Sequence, residues 1–133
     1  MTIPILTATY GAVLALILVG LSVNVIRLRV RHRVSLGDGG VDPLRRAIRG
    51  QGNFSEYVPL TLILMLTLEL LGQPAWLIHA AGGALLVGRI VHGVCFACFD
   101  RAMGLRRAGM ALTFAAILIA ALGNLAAVLA ASP

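Results

Sequence analysis

Lysine is absent from this chain of 133 residues, and acidic residues number only 5. Charged residues of all kinds make up 12%, about half the roughly 25% usual for a soluble domain. Long stretches lack charge altogether. Met1–Ile26 and Ala108–Pro133 contain no Asp, Glu, Lys or Arg, and Tyr57–Gly88 holds a single carboxylate, Glu69. That poverty excludes an ordinary soluble fold. What fills the space is apolar: 59% of residues are hydrophobic and the mean hydropathy is +0.96.

A membrane-crossing helix needs about 20 mostly apolar residues. The central stretch is too long for one such helix, and Gly72-Gln73-Pro74 marks a turn near its middle. The sequence therefore predicts an all-α membrane protein, a single four-helix transmembrane domain over residues 1–133, with helices near 4–26, 43–71, 75–97 and 107–130. No repeat or low-complexity tract interrupts it.

The net charge of +6 would suggest nucleic acid in a soluble chain. Here membrane orientation explains it, and no nucleic-acid partner is expected. All 11 basic residues are arginine. Seven follow the first span (Arg27, Arg29, Arg31, Arg33, Arg45, Arg46, Arg49), and four lie around the third connection (Arg89, Arg101, Arg106, Arg107). The connection between the second and third spans has none. Connections 1–2 and 3–4 must share one side of a four-helix chain, and the positive-inside rule makes that side cytoplasmic. Both termini then face out of a bacterial inner membrane. The first segment lacks a basic n-region and exceeds the roughly 7–15 apolar residues of a signal peptide, so it reads as an uncleaved helix.

Local signals are few. Asp42-Pro43 reads as a helix N-cap followed by proline at the first helical position. Pro59 falls inside the second helix, where a kink is the expectation. Glu69 reads as an interface residue at that helix's outer end. Gly82-Gly83 permits close approach of a neighbouring helix. Cys95 and Cys98 form a C-x-x-C, but the βαβ context of a redox motif is missing. They read as small packing residues in a reducing compartment, with a redox pair as the alternative.

The informative segment runs from Arg45 to Leu60. On a helix, Arg46, Arg49, Asn53 and Glu56 share one face. Arg49, Gln51, Asn53, Glu56 and Tyr57 fall within nine residues where a helix enters the membrane. Orientation needs only charge; it does not require the amides or Glu56. A second stripe in the third helix carries Arg89, His92 and Phe96 on one face. Read as structure alone, Arg89 and Glu56 form an interhelical pair and His92 is a packing residue.

The pattern Arg46-x-x-Arg49-Gly-Gln51-x-Asn53-x-x-Glu56-Tyr57-x-Pro59-Leu60 closely resembles the second-helix signature of MAPEG proteins, the membrane-associated proteins in eicosanoid and glutathione metabolism. The Gln51–Leu60 string looks most like the leukotriene C synthase branch. Gly88-Arg89-Ile90-Val91-His92 resembles the family's third-helix motif, and Leu105-Arg106-Arg107-Ala108-Gly109-Met110 the bacterial form of its fourth-helix entry. The likeness covers nearly the whole chain. It implies a homotrimer in the lipid bilayer, with glutathione bound as co-substrate between subunits and a hydrophobic electrophile arriving from the membrane. It implies that Arg49, Gln51, Asn53, Glu56 and Tyr57 hold the tripeptide. Arg89 and His92 line the same site, Arg29 reaches in from a neighbouring first helix, and Arg106 activates the thiol. His92 and Phe96 stand where related proteins have tyrosine, so eicosanoid substrates are not carried over.

The chemistry of the ligand agrees with these residue types. Glutathione has two carboxylates and one ammonium. Arginine forks bind carboxylates bidentately, and Glu56 suits the ammonium. A cation beside the sulfur favours the thiolate, which is the nucleophile. No metal is required. The expectation is a glutathione-dependent transferase or peroxidase for detoxification. The rivals are a non-catalytic glutathione-binding or scaffold protein of the same fold and a small four-helix transporter.

Overall fold

The computed structural model describes residues 3–98 and 103–131, with side chains described to Gly93 in the first stretch. Four helices follow one another: α1 (Ile5–His32), α2 (Asp42–Leu70), α3 (Ala75–Cys98) and α4 (Met103–Ala131). The described residues contain no strand. The protein is an all-α four-helix membrane bundle. Ile5–His32, Ala75–Gly93 and Met103–Ala131 are long and apolar enough to cross a membrane. Helix α2 carries its polar residues in its first half and a charge-free stretch, Tyr57–Leu68, in its second.

Two helix ends and one cap differ from expectation; α4 begins at Met103, ahead of the expected 107. Helix α1 continues past Ile26 to His32, because arginine is a good helix former and nothing in Arg27–His32 breaks the helix. The charge marks where the apolar stretch ends, not where the helix ends. The chain turns out of α1 at Arg33 in a left-handed conformation, φ 54°, and Val34 N donates to Arg29 O at 3.0 Å. At the start of α2, Asp42 does not cap. Val41 occupies the cap position with no side-chain cap bond, and the Asp42 carboxylate pairs with Arg45 instead. The intervening loop is held by Arg29, whose Nη1 donates to Gly37 O at 2.9 Å.

The core joins all four helices through Leu14, Phe54, Val58, Met65, Leu68, Ile78, Ala81, Leu85, Ala116 and Ala120. Small residues set its tightest point. A Cβ on Gly88 would lie 2.8 Å from Gly109 O, and one on Gly109 would lie 2.9 Å from Gly88 O. The α3 and α4 backbones thus meet directly, as small residues allow between membrane helices. At the other end, Asn124 Nδ2 donates to Leu64 O at 2.8 Å, tying α4 to α2.

Glu69 proves to be a buried cap. Its Oε1 accepts from Leu6 N at 2.8 Å and its Oε2 from Thr7 N at 2.7 Å. The first amides of α1 have no intrahelical acceptors, and Pro4 supplies no side-chain cap. A carboxylate there satisfies two donors and complements the positive end of the helix dipole. Glu69 therefore joins the end of α2 to the beginning of α1.

Candidate functional site

The site is built around Arg89, which α3 carries into the bundle, leaving it 1% exposed. Its Nη1 donates to Asn53 Oδ1 at 2.7 Å. Its Nη2 donates to Thr113 Oγ1 and reaches Met110 Sδ at 3.4 Å. The guanidinium carbon lies 5.9 Å from the Tyr57 ring centroid, within cation–π range. Tyr57 in turn meets Phe114 edge-on, with ring centroids 5.7 Å apart. One arginine thus links α2, α3 and α4. Its partners among the described residues are all neutral, and its buried Nε has no acceptor.

His92, one turn along α3, is also buried. It stands over Gly109 of α4, where a Cβ would come within 3.0 Å of His92 Cβ. Arg89 and Arg106 both lie within electrostatic reach of it. Arg106 is half-buried, with Nε and Nη2 shielded from solvent, whereas Arg107 is exposed. The fold therefore turns Arg106 toward the bundle and Arg107 away. Burying a cation costs several kcal/mol unless it is compensated. Here two arginines and a histidine converge, and among the described residues the hydrogen-bond partners of Arg89 include no carboxylate.

The other expected site residues lie apart from this cluster within one protomer. Arg49 and Glu56 are exposed on the α2 face opposite its buried side. The interhelical Arg89–Glu56 pair of the structural reading does not form; Asn53 and Thr113 take its place. Gln51 faces α1, and its Nε2 donates to Ser22 Oγ at 2.8 Å. Arg29 is engaged with the α1–α2 loop. Phe96, Cys95 and Cys98 have side chains outside the described residues, and Arg101 lies outside them entirely.

Sequence reasoning missed Thr113, Met110 and Phe114. A signal for two of them exists. Met110 and Thr113 are four and seven residues beyond Arg106, on its face of α4. Among the described residues, no group of three or more His, Cys, Asp or Glu side chains is placed to hold a metal ion.

The MAPEG family profile matches residues 7–126. Inner membrane protein YecN of Escherichia coli K12 is 42% identical over 119 residues, which cover 90% of this chain and 89% of the relative. YecN of Escherichia coli O6:H1 matches with the same identity and coverage. With the motif order, the four-helix bundle and the buried Asn53–Arg89 link on one side and this match across nearly all of the chain on the other, the protein belongs to the MAPEG family.

Proposed function

We propose that the protein is a membrane-bound transferase or peroxidase that uses the glutathione thiolate against lipophilic electrophiles. The observation that carries this reading is the buried positive cluster. Arg89 and Arg106 turn toward the bundle interior, and the Arg89 Nε–H lacks an acceptor among the described residues. Such a cluster favours an anion, and glutathione offers two carboxylates and a thiolate. Arg49 and Glu56 stand exposed on the protomer, where a second subunit would cover them. Hence the proposed assembly is a homotrimer with the ligand between subunits. Asn53, Tyr57, Arg89 and His92 would form the inner wall. Arg49 would take a carboxylate and Glu56 the ammonium, while Gln51 and Arg29 support the helix and loop beside them. In transfer, the thiol proton leaves to solvent, the sulfur lone pair forms the new bond to carbon, and the electrophile's leaving group departs with its electron pair.

Arg106 is the proposed thiol-activating residue. A free thiol of pKa roughly 8.5 is mostly protonated at neutral pH. Lowering it by about two units corresponds to about 2.7 kcal/mol. Arg106→Leu should leave glutathione affinity nearly intact and reduce turnover at pH 7 by roughly twentyfold, the loss of thiolate fraction. A cation lowers the thiol pKa, so removing it raises the pKa. The deficit must therefore shrink as pH climbs past the free thiol value. Arg107→Leu should show neither effect. Equal losses in both variants, or a deficit constant with pH, would reject this role. Conjugation assays alongside ultraviolet thiolate absorbance of the complex provide the measurement. Glutathione and other low-molecular-weight thiols, compared as thermal stabilisers of the purified protein, test the ligand itself.

The arginine asymmetry motivates an orientation with connections 1–2 and 3–4 in the cytoplasm and both termini outside. A reporter active only in the periplasm, fused after Pro133, should be active. A signal confined to a cytoplasm-dependent reporter at that position would reverse the assignment.

A further inference from the structure

Of the seven arginines that follow the first span, only Arg29 and Arg49 are assigned to the site above. Arg27 and Arg31 sit one turn apart on the same exposed face of α1, with half-buried Asn24 a further turn back. They line a groove of about 520 Å³ together with Asn24, Ile26, Leu28 and Val30. No acidic side chain lines it, and α1 contains none. Other cations nearby are already engaged: Arg29 with loop carbonyls and Arg45 with Asp42. Among the described residues, neither Arg27 nor Arg31 has a hydrogen-bond or ion-pair partner.

Depth and shape specify the occupant. The charge-free run Ile5–Ile26 is about 33 Å long at 1.5 Å per residue, against a hydrocarbon core of about 30 Å. Arg27 and Arg31 therefore stand at headgroup level. On the membrane side of them, Leu16, Val19, Val23 and Ile26 form an exposed apolar ridge on adjoining positions of the helix. The opposite side of α1 carries Leu14 and Val25 into the bundle, where it packs on α2 and α3. Two cations about 5–6 Å apart at their Cβ atoms can flank one phosphodiester. The ridge below offers a track for the attached acyl chain. Orientation alone would not require the two arginines to share one groove.

We propose that Arg27, Arg31 and Asn24 form a seat for the headgroup phosphate of an anionic phospholipid, whose chain lies along Leu16–Ile26. The seat is separate from the glutathione site, so the two readings stand or fall independently.

The test is native mass spectrometry of protein released from nanodiscs of equal phosphatidylglycerol and phosphatidylcholine with matched chains. The wild type should retain phosphatidylglycerol preferentially. The Arg27→Gln/Arg31→Gln variant should lose about thirtyfold in that preference, the expected sum of two arginine contributions near an anionic surface. Arg27→Lys/Arg31→Lys should keep part of it, since charge remains without the planar fork. Arg45→Gln should keep all of it. Both arginines are exposed, and an unchanged melting temperature of the Gln variant in lipid-free detergent verifies its fold. Equal retention of the two lipids by the wild type would overturn the proposal. So would an equal loss in Arg45→Gln, which would mean a diffuse field. Retention of inorganic phosphate alone to the same extent would overturn the role of the apolar ridge.

Discussion

Gly88→Ala and Gly109→Ala should each destabilise the bundle by about 3 kcal/mol, the upper end of ordinary overpacking costs. The reason is what the new Cβ would strike. At either position it meets the other glycine's carbonyl oxygen at under 3.0 Å, and that oxygen belongs to a helical backbone that cannot rotate aside. Helices α3 and α4 would have to separate. Separation would also draw Arg89 away from Thr113 and Met110, so anion binding should weaken with stability. The double variant should cost less than the sum, because one separation relieves both clashes. Gly20→Ala is the control: a Cβ there meets nothing within 4 Å, and alanine favours helix. Thermal unfolding in mild detergent reads the difference. Gly109→Ala melting together with Gly20→Ala would show that the close approach does not govern packing.

Loss of glutathione affinity by roughly 2–5 kcal/mol is expected for Arg49→Ala and for Glu56→Ala, the range for truncating one side of a buried charged contact. Both side chains are exposed on the isolated protomer. In the proposed assembly they face the ligand space between subunits, so their removal should leave the ligand-free melting temperature unchanged and the mass in mild detergent equal to that of the unsubstituted protein. Arg89→Ala should instead lose stability and affinity together, since it strips partners from Asn53 and Thr113. Glu56→Ala carries a finer signature. If Glu56 holds the ammonium, the variant should no longer distinguish glutathione from an analogue lacking the α-amino group. Calorimetric titration of both ligands into both proteins measures this. Unchanged affinity in a folded, assembled variant would remove the clamp from the site.

Much of the fold is legible because charge is so scarce. The uncharged runs locate four helices, and Gly72-Gln73-Pro74 separates the second from the third. What charge reports is the membrane border, which is why the six residues of α1 beyond Ile26 escaped it. On α2, helical spacing placed Arg46, Arg49, Asn53 and Glu56 on one face. That face spans about 80° at 100° per residue; Arg46 and Asn53 along one edge are half-buried, whereas Arg49 and Glu56 along the other are exposed. A one-dimensional pattern gives the arc, but not the line along which a neighbouring helix cuts it. Thr113 was readable from its spacing to Arg106. The partner of Glu69 was not, because Leu6 and Thr7 lie more than sixty positions away in the chain and offer only backbone amides.

The placement of Glu69 bears on how the molecule is made. Chains emerge with the N-terminus first, so α1 enters the bilayer while its acceptor is still unsynthesised. Leu6 N and Thr7 N gain their partner only when the last turn of α2 arrives. Unpaired amides are costly where water is scarce. The α1–α2 hairpin is therefore the first unit of the emerging chain in which these two amides have their acceptor.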